Sequence, residues 1–368
     1  MKVLYCITSA SWGGAQLNVL ELCQDQIRRG NQVVFVVGNK GRLLDLVSKV
    51  EGVKVVLMPE LRREVSPIND VKAVFKLRSL IKQEKPDIIH LHSSKAGTVG
   101  RLAAINLRCK VIFTVHGWAF TDGISSVKKK SIFKWIEKIV APFADLYICV
   151  SEFDQNIGLR GKVLKASKEN YVVIHNGAPK PKEFDRRPAT LPVRLVMTAR
   201  FSKQKDQTSL IRAVKSLDKS KYHLSLVGDG ETLEDNQRLV EELRLTDNVS
   251  FEGFKSDVSD SLIHNDVYIL STHYEGLPIS IIEAMSYKMP IIATDVGGNK
   301  ELVKDNGYLI SSISDLTQRI QYLIDHPDLI GRLGNASYEL YKNEYTLEHC
   351  LDKTNFYYNE LIKPEMSI

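Results

Sequence analysis

Short apolar runs recur along the whole chain, and a stretch of helical spacing separates each from the next. In the first half the runs are Val3–Ile7, Gln32–Val37, Val53–Met58, Asp87–Leu91, Lys110–Val115, Leu146–Val150 and Val172–Ile174. The second half continues with Val193–Thr198, His223–Val227, Val249–Glu252, Val267–Leu270, Pro290–Ala293 and Gly307–Ile310. Runs that are apolar at successive positions suit strands buried on both faces, which occur in parallel sheets covered by helices. The intervening segments supply helices such as Ala15–Arg29, Val71–Glu84 and Ala96–Leu107. Val71–Glu84 carries Val71, Val74, Phe75, Leu77, Leu80 and Ile81 at a helical period, which predicts a core-facing stripe. The fold class is therefore α/β. At about 150 residues per domain, the chain's 368 residues predict two domains. The segment HNGAPKPKEFDRRPATL at 175–191, with three prolines and an Asn-Gly turn, reads as the linker. The expected division is 1–178, 179–345 and a final helix in 346–368 with Cys350, Leu351, Phe356, Tyr357 and Leu361 on its apolar face. Two Rossmann-like units with parallel sheets would then face each other across a cleft. Ligands in such sheets bind beyond the carboxyl ends of the strands.

Charge separates the two halves. The net charge is only +6, which does not by itself imply nucleic-acid binding, and no nucleic-acid partner is expected. Residues 1–185, however, hold 29 Lys+Arg against 17 Asp+Glu, leaving the remainder with 21 against 27. Opposite character suggests different partners. The five cysteines are Cys6, Cys23, Cys109, Cys149 and Cys350, without a C-x-x-C, which fits a reducing, cytoplasmic setting. The opening MKVLYCITSASWGG has one lysine and a short apolar run, and reads as a strand and glycine turn, not a leader. No uncharged apolar run approaches the roughly 18 residues a membrane span needs, so any membrane contact is expected to be peripheral.

The most informative string is HYEGLPISIIEAM, which follows the run Val267–Leu270. Gly276 permits close backbone approach, and Pro278 suits the first turn of a helix. The free N–H groups of that turn suit a diphosphate. Glu275 would sit in the loop and Glu283 about a turn into the helix, directed to the same side. A carboxylate accepts two hydrogen bonds and can grip the vicinal hydroxyls of a sugar. In TARFSKQKDQ, Arg200 and Lys205 lie between a strand and a helix, where two cations can neutralise a leaving diphosphate; alone, the segment reads more readily as ordinary loop charges.

Weaker signals surround these. Gly228-Asp229-Gly230 reads either as a ligand loop or as a plain strand-to-helix turn, and so does Gly13-Gly14. His116-Gly117 stands at the carboxyl end of a strand; a lone histidine is usually structural, but one there, followed by Gly, more often faces a cleft. His90 and His92 form an H-x-H, but no third metal ligand appears at a matching place. G-x-S-x-G, H-E-x-x-H and the P-loop pattern are absent, so serine hydrolase, zincin and P-loop chemistry lack support.

Taken together, these motifs resemble the retaining glycosyltransferases of family 4, which have the two-Rossmann GT-B fold. The resemblance runs through Arg200…Lys205, VGDG at 227–230, FEGF at 251–254, Glu275-x7-Glu283 and ATDVGGNKE at 293–301. In the first half it runs through SWGGAQ at 11–16, HLHSSKAG at 90–97 and TVHG at 114–117. It implies a nucleotide-sugar donor, UDP by family frequency, in the second domain and an acceptor in the first. Arg200 and Lys205 would hold the diphosphate, Glu283 the ribose and Glu275 the donor sugar, with Gly276, Leu277 and Pro278 close by. His116 would hydrogen-bond the sugar near the reacting carbon. Gly13 and Gly14 would admit the donor, Gly228 would belong to its loop set, and Gly253 and Phe254 would meet the base. No cofactor or metal is implied. Transfer would proceed by front-face substitution with retention. The chain departs from the family pattern at Asp206, where Gly commonly follows the lysine, and at Gln16, where Glu is frequent.

Two other functions compete. A GT-B nucleotide-sugar epimerase would need first-domain carboxylates, for which Asp87, Asp122 and Asp145 are poorly placed. A silent partner subunit would be expected to have lost Arg200, Lys205 or Glu283, and all are present. The basic first half holds Arg62, Arg63, Lys72, Lys76, Arg78, Lys82 and Lys85. It also holds Lys128–Lys130, Lys134 and Lys138, interleaved with Ile132, Phe133, Trp135 and Ile136. That pattern suits an anionic membrane surface or a polyprenyl-diphosphate acceptor, and equally a solvated helix with core aromatics.

Overall fold

A computed structural model describes residues 1–121 and 126–363. Asp122, weighed above, lies outside them. The chain separates into two compact units: Met1–His175 together with the chain from Cys350 on, and Asn176–His349.

The first unit holds β1 (Lys2–Ile7), β2 (Gln32–Val37), β3 (Val53–Leu57), β4 (Ile88–His92), β5 (Lys110–Val115), β6 (Leu146–Cys149) and β7 (Tyr171–Val173). Its helices are α1 (Gly14–Arg28), α2 (Arg42–Val47), α3 (Pro67–Glu84), α4 (Ser94–Ala104), α5 (Val127–Val140) and α6 (Glu152–Arg160). The strands pair in parallel in the order β3-β2-β1-β4-β5-β6-β7. Tyr5, for example, lies between Phe35 and His90. Right-handed crossovers run one way from β1 to β3 and the other way from β4 on, so α1 and α2 cover one face and α3, α4 and α5 the other.

The second unit holds β8 (Val193–Thr198), β9 (Tyr222–Val227), β10 (Val249–Gly253), β11 (Val267–Leu270), β12 (Ile291–Thr294) and β13 (Gly307–Ile310). Its helices are α7 (Gln207–Val214), α8 (Leu233–Glu242), α9 (Ser259–Ile263), α10 (Ile279–Ser286), α11 (Asn299–Leu302), α12 (Ile313–Asp325) and α13 (Asp328–Glu344). These strands too are parallel, in the order β10-β9-β8-β11-β12-β13. The last helix, α14, spans Leu347–Ile362.

Three helix faces differ from the sequence expectation. On α3 only Ala73, Leu77 and Ile81 are buried, whereas Val71 and Phe75 are exposed together with Ile68. The apolar positions outnumber those one sheet can cover, and the surplus turns outward. On α14 Phe356 is exposed; Thr354 and Tyr358, which the apolar reading passed over, are buried with Cys350 and Leu351. On α5 Trp135, Ile132 and Ile139 are exposed, so Trp135 is not a core aromatic. That helix is anchored instead by Glu137, which accepts a 2.7 Å hydrogen bond from fully buried Arg101 on α4. Arg101 also donates to the Tyr147 hydroxyl at 2.8 Å and to the Gly97 carbonyl at 2.8 Å. All five cysteines are free thiols. Among the described residues no helix is long and apolar enough to cross a membrane.

Candidate active site

In each sheet the strand order reverses beside the first strand of the unit, at β1/β4 and at β8/β11. Loops leaving the carboxyl ends of such strands diverge to opposite faces and open a crevice. Gly13, Arg200, Lys205 and Glu275 to Pro278 fall on these loops; His116, Gly228 and Gly253-Phe254 stand at the ends of the neighbouring strands β5, β9 and β10, and Glu283 lies within α10.

In the second unit Arg200 and Lys205 lie between β8 and α7, and Glu275 to Pro278 between β11 and α10. A short antiparallel bridge between Lys205 and Thr272 ties the two loops together. The Lys205 ammonium donates to Glu275 Oε1, which also accepts a 2.8 Å bond from the Thr272 hydroxyl. Both bonds fall on Oε1, and the Glu275 side chain is only 8% exposed. The rest of the loop is held by Gln204, donating to the Tyr274 carbonyl at 2.7 Å. Asp206 caps α7 through the Ser209 N–H at 3.1 Å. This gives the residue found where the family usually has Gly a local role. Arg200 is exposed, and its backbone carbonyl accepts from Gln207 at 3.1 Å.

Pro278 is the N-cap of α10, one residue ahead of the first-turn position expected for it. Glu283 is the fifth residue of that helix. Tyr268, buried on β11, lies in the electrostatic field of both Glu283 and Glu275. Desolvation by burial is the main force that raises the Tyr268 phenol. Asn176 donates to the Leu277 carbonyl at 2.8 Å and fixes that loop from behind.

Gly228 follows β9 with φ 146°, and a Cβ there would collide with the Ala199 carbonyl. The glycine is thus required by the backbone that carries Arg200. Its N–H donates to the Gly253 carbonyl at 2.8 Å, joining the two loops. Phe254 follows Gly253 and is half-buried.

In the first unit Gly13 is the N-cap of α1, in extended backbone open to any residue, and Gly14 begins the helix. Across the switch point, Thr8 and Ser93 hydroxyls lie 2.7 Å apart. His116 follows β5 and contacts His92, the last residue of β4, at 3.0 Å between Nε2 and Nδ1. Beneath them His90 bonds the Tyr358 hydroxyl and, at 2.6 Å, that of Thr114. The Tyr358 and Tyr5 hydroxyls are 3.0 Å apart. Burial holds these rings neutral: His116 is pushed down to about 4 and His90 to about 3, and His92 also falls well below the usual range. The H-x-H pair is part of this packed cluster, and the described residues contain no group of three metal ligands. On the loop after His116, a concavity of about 250 Å³ is lined by Phe120, Phe153 and Ile157 with Lys134 and Arg160.

Thr272 and Gly297 escaped the sequence reading, and His92 entered it only as half of an H-x-H weighed for metal binding. Gly297 has φ 58°, and a Cβ there would strike the Glu275 carbonyl. The glycine pair in ATDVGGNKE was its only signal.

Known families match the chain along most of its length. Residues 12–179 match Glycosyltransferase Family 4 and residues 181–340 match Glycosyl transferases group 1. A UDP-Gal:alpha-D-GlcNAc-diphosphoundecaprenol alpha-1,3-galactosyltransferase of Escherichia coli is 32% identical over 297 residues, covering 74% of this chain and 75% of its own length. The O-antigen biosynthesis glycosyltransferase WbnH of Escherichia coli is 26% identical over 318 residues, covering 85% and 87%. The crystal structure of Anabaena Alr3699/HepE, solved with UDP, superposes with a TM-score of 0.81 at 20% identity, over 98% of this chain and 100% of that one. The class is therefore a glycosyltransferase of the GT-B fold. Within it, the chain belongs to glycosyltransferase family 4.

Proposed function

We propose that the protein is a retaining hexosyltransferase that moves a sugar from a UDP-sugar to a glycan or polyprenyl-diphosphate-linked acceptor in surface polysaccharide or glycolipid synthesis. The observation that carries this reading is the Lys205–Glu275 pair at the β8/β11 switch point, with Arg200 on the same loop. As the bond from the anomeric carbon to the diphosphate oxygen breaks, negative charge grows on the diphosphate. Lys205, held by Glu275, offers positive charge fixed in advance, which lowers that barrier without reorganisation, and Arg200 adds a second cation from the same loop. Glu275 orients the Lys205 ammonium through Oε1 and keeps Oε2 for sugar hydroxyls. Glu283 takes the ribose. With the diphosphate leaving on the face that the acceptor enters, its oxygen receives the acceptor's proton and configuration is retained. The two cations stand in for a metal, so chelation by EDTA is expected to leave turnover unchanged. UDP is favoured because the Anabaena structure holds UDP and the Escherichia coli relative is named for UDP-Gal.

A diphosphate-linked acceptor is supported by Lys134 and Arg160 at the aromatic-lined concavity beside the His116 loop. A peripheral position on an anionic membrane is supported by two outward stripes on the same layer. These are Ile68, Val71 and Phe75 on α3 and Ile132, Trp135 and Ile139 on α5, with lysines flanking both. Apolar residues beside lysines suit the headgroup boundary.

The donor is tested by thermal shift against UDP-, GDP- and ADP-sugars, followed by NMR of the product anomer. Stabilisation by a UDP-sugar and an anomer matching the donor are expected; stabilisation by none, or an inverted anomer, overturns the reading. For the membrane, sedimentation with anionic vesicles should exceed that with neutral ones and fall in Trp135→Ser. Equal, negligible binding to both vesicles rejects it.

A further inference from the structure

We propose that His92 is a positioning residue that holds His116 in its Nδ1–H tautomer, so that His116 presents a hydrogen-bond donor to the donor sugar; the sugar contact rests on the function proposed above. The two rings meet nitrogen to nitrogen at 3.0 Å, tilted by only 26° with centroids 5.3 Å apart. That geometry is edge to edge, as an N–H···N bond between imidazoles requires. One ring must donate and the other accept, because neither can carry two protons in its buried place.

His92 decides which. It is fully buried, and its other nitrogen, Nε2, has no partner among the described residues. If His92 accepted from His116, its own proton would sit on Nε2 as a buried N–H with nothing to bond. Buried donors left in that state are rare. With the proton on Nδ1, His92 donates to His116 Nε2 and only a lone pair is left unmatched. His116 Nε2 is then the acceptor, and its proton must reside on Nδ1. The His92 ring is held against rotation by the His90 ring, 4.3 Å away, and by Tyr5 at 6.1 Å. β4 and β5 place the pair, since His92 is in register with Thr114, two residues before His116.

The test is two-bond ¹⁵N–¹H correlation NMR of the ¹⁵N-histidine-labelled full chain, which reads the tautomer directly. Wild type should show His116 protonated at Nδ1, and His92→Leu should shift it toward Nε2–H. In assays, His92→Leu should lower kcat by about 10- to 100-fold, the scale of a misplaced catalytic contact, with little change in donor KM. His92→Asn keeps an amide N–H near the Nδ1 position and should recover most of kcat. An Nε2–H His116 in wild type, or an unaltered Nδ1–H tautomer in His92→Leu, overturns the proposal while leaving the site reading intact. Full turnover in His116→Ala overturns the site reading, whatever the tautomer.

Discussion

The two switch points occupy the same place in two sheets of matching strand order, yet their electrostatics are opposite. At β8/β11 the loops carry Arg200, Lys205 and Glu275, and the Lys205 charge is met by Glu275. At β1/β4 the side chains are His90, His92, Tyr5 and Tyr358, joined by hydrogen bonds and held neutral by burial. Topology decides where a crevice opens; depth and partner decide whether the groups lining it can be charged. On the β8/β11 loops a lysine meets a carboxylate directly. A buried imidazole without an anion beside it gives up its proton, because desolvation penalises the cation.

Removing the charge from the charged switch point should have the largest effect. On the proposed mechanism, Lys205→Ala takes away a cation where leaving-group charge develops. We expect kcat to fall by about 10²–10³-fold, the usual cost of losing one such group, with the circular dichroism spectrum unchanged. Steady-state kinetics with the donor found by the thermal-shift panel measure it. Turnover within a factor of three of wild type would mean that Lys205 is only a loop brace for Glu275.

Acid should break the neutral switch point instead. His116 and His90 are held below their usual 6.5, to about 4 and about 3, so the unfolded chain binds more protons than the folded one as pH falls through that window. The sign follows directly: stability contributed by the neutral rings is fully present above 6.5 and is lost on acidification. For fully buried His90 alone the loss at pH 5 is about 2 kcal/mol. Urea melts followed by tryptophan fluorescence are selective here, since Trp12, Trp118 and Trp135 all lie in the first unit. A midpoint that does not fall between pH 7 and 5 would mean the cluster is hydrated in solution.

Gly297→Ala bears on the charged side again, at a smaller expected scale. A side chain at φ 58° that also meets the Glu275 carbonyl must displace that loop. Donor KM should rise about 10-fold or more, since small displacements of positioning groups are costly. An unchanged KM in the kinetic assay would show that Glu275 does not depend on this contact.

The charged switch point was far more legible in the sequence than the neutral one, and the reason is physical. Arg200, Lys205 and the Glu275–Glu283 pair act within single loops or one helix start, so their spacing survives as a local string. His92 was visible only as half of an H-x-H, while the ring it contacts is His116, just past the neighbouring strand and 24 residues on. No local period encodes a cross-strand contact. Tyr358 was hidden in the same way, because the apolar face drawn for the last helix favoured Phe356, which is exposed. The alternation of strands and helices predicted both parallel sheets, since the central strands β1, β4 and β11 are buried on two sides. It could not say which residues of α3 would lack a surface to cover. That depends on the width of the groove beneath the helix.

The smallest expected effects separate the two modes of attachment on α14. Beyond Cys350 this helix meets the first unit through a neutral, buried contact and a charged rim. Tyr358 reaches His90 and Tyr5, and Asp352 pairs with Arg29. Tyr358→Phe preserves shape but strands two buried polar groups, so it should cost about 1–3 kcal/mol. Asp352→Asn disturbs a pair whose acid is 58% exposed, which solvent and salt screen to about 0–1 kcal/mol. Chemical denaturation of the two variants, at low and at high salt, makes the comparison quantitative. The tyrosine loss should be independent of salt and the aspartate loss should vanish as salt rises. If the order is reversed, the neutral cluster is not what holds this helix. Burial of hydroxyls around His90 would then serve only to keep the imidazoles uncharged, and the helix would owe its place to packing by Cys350, Leu351 and Thr354.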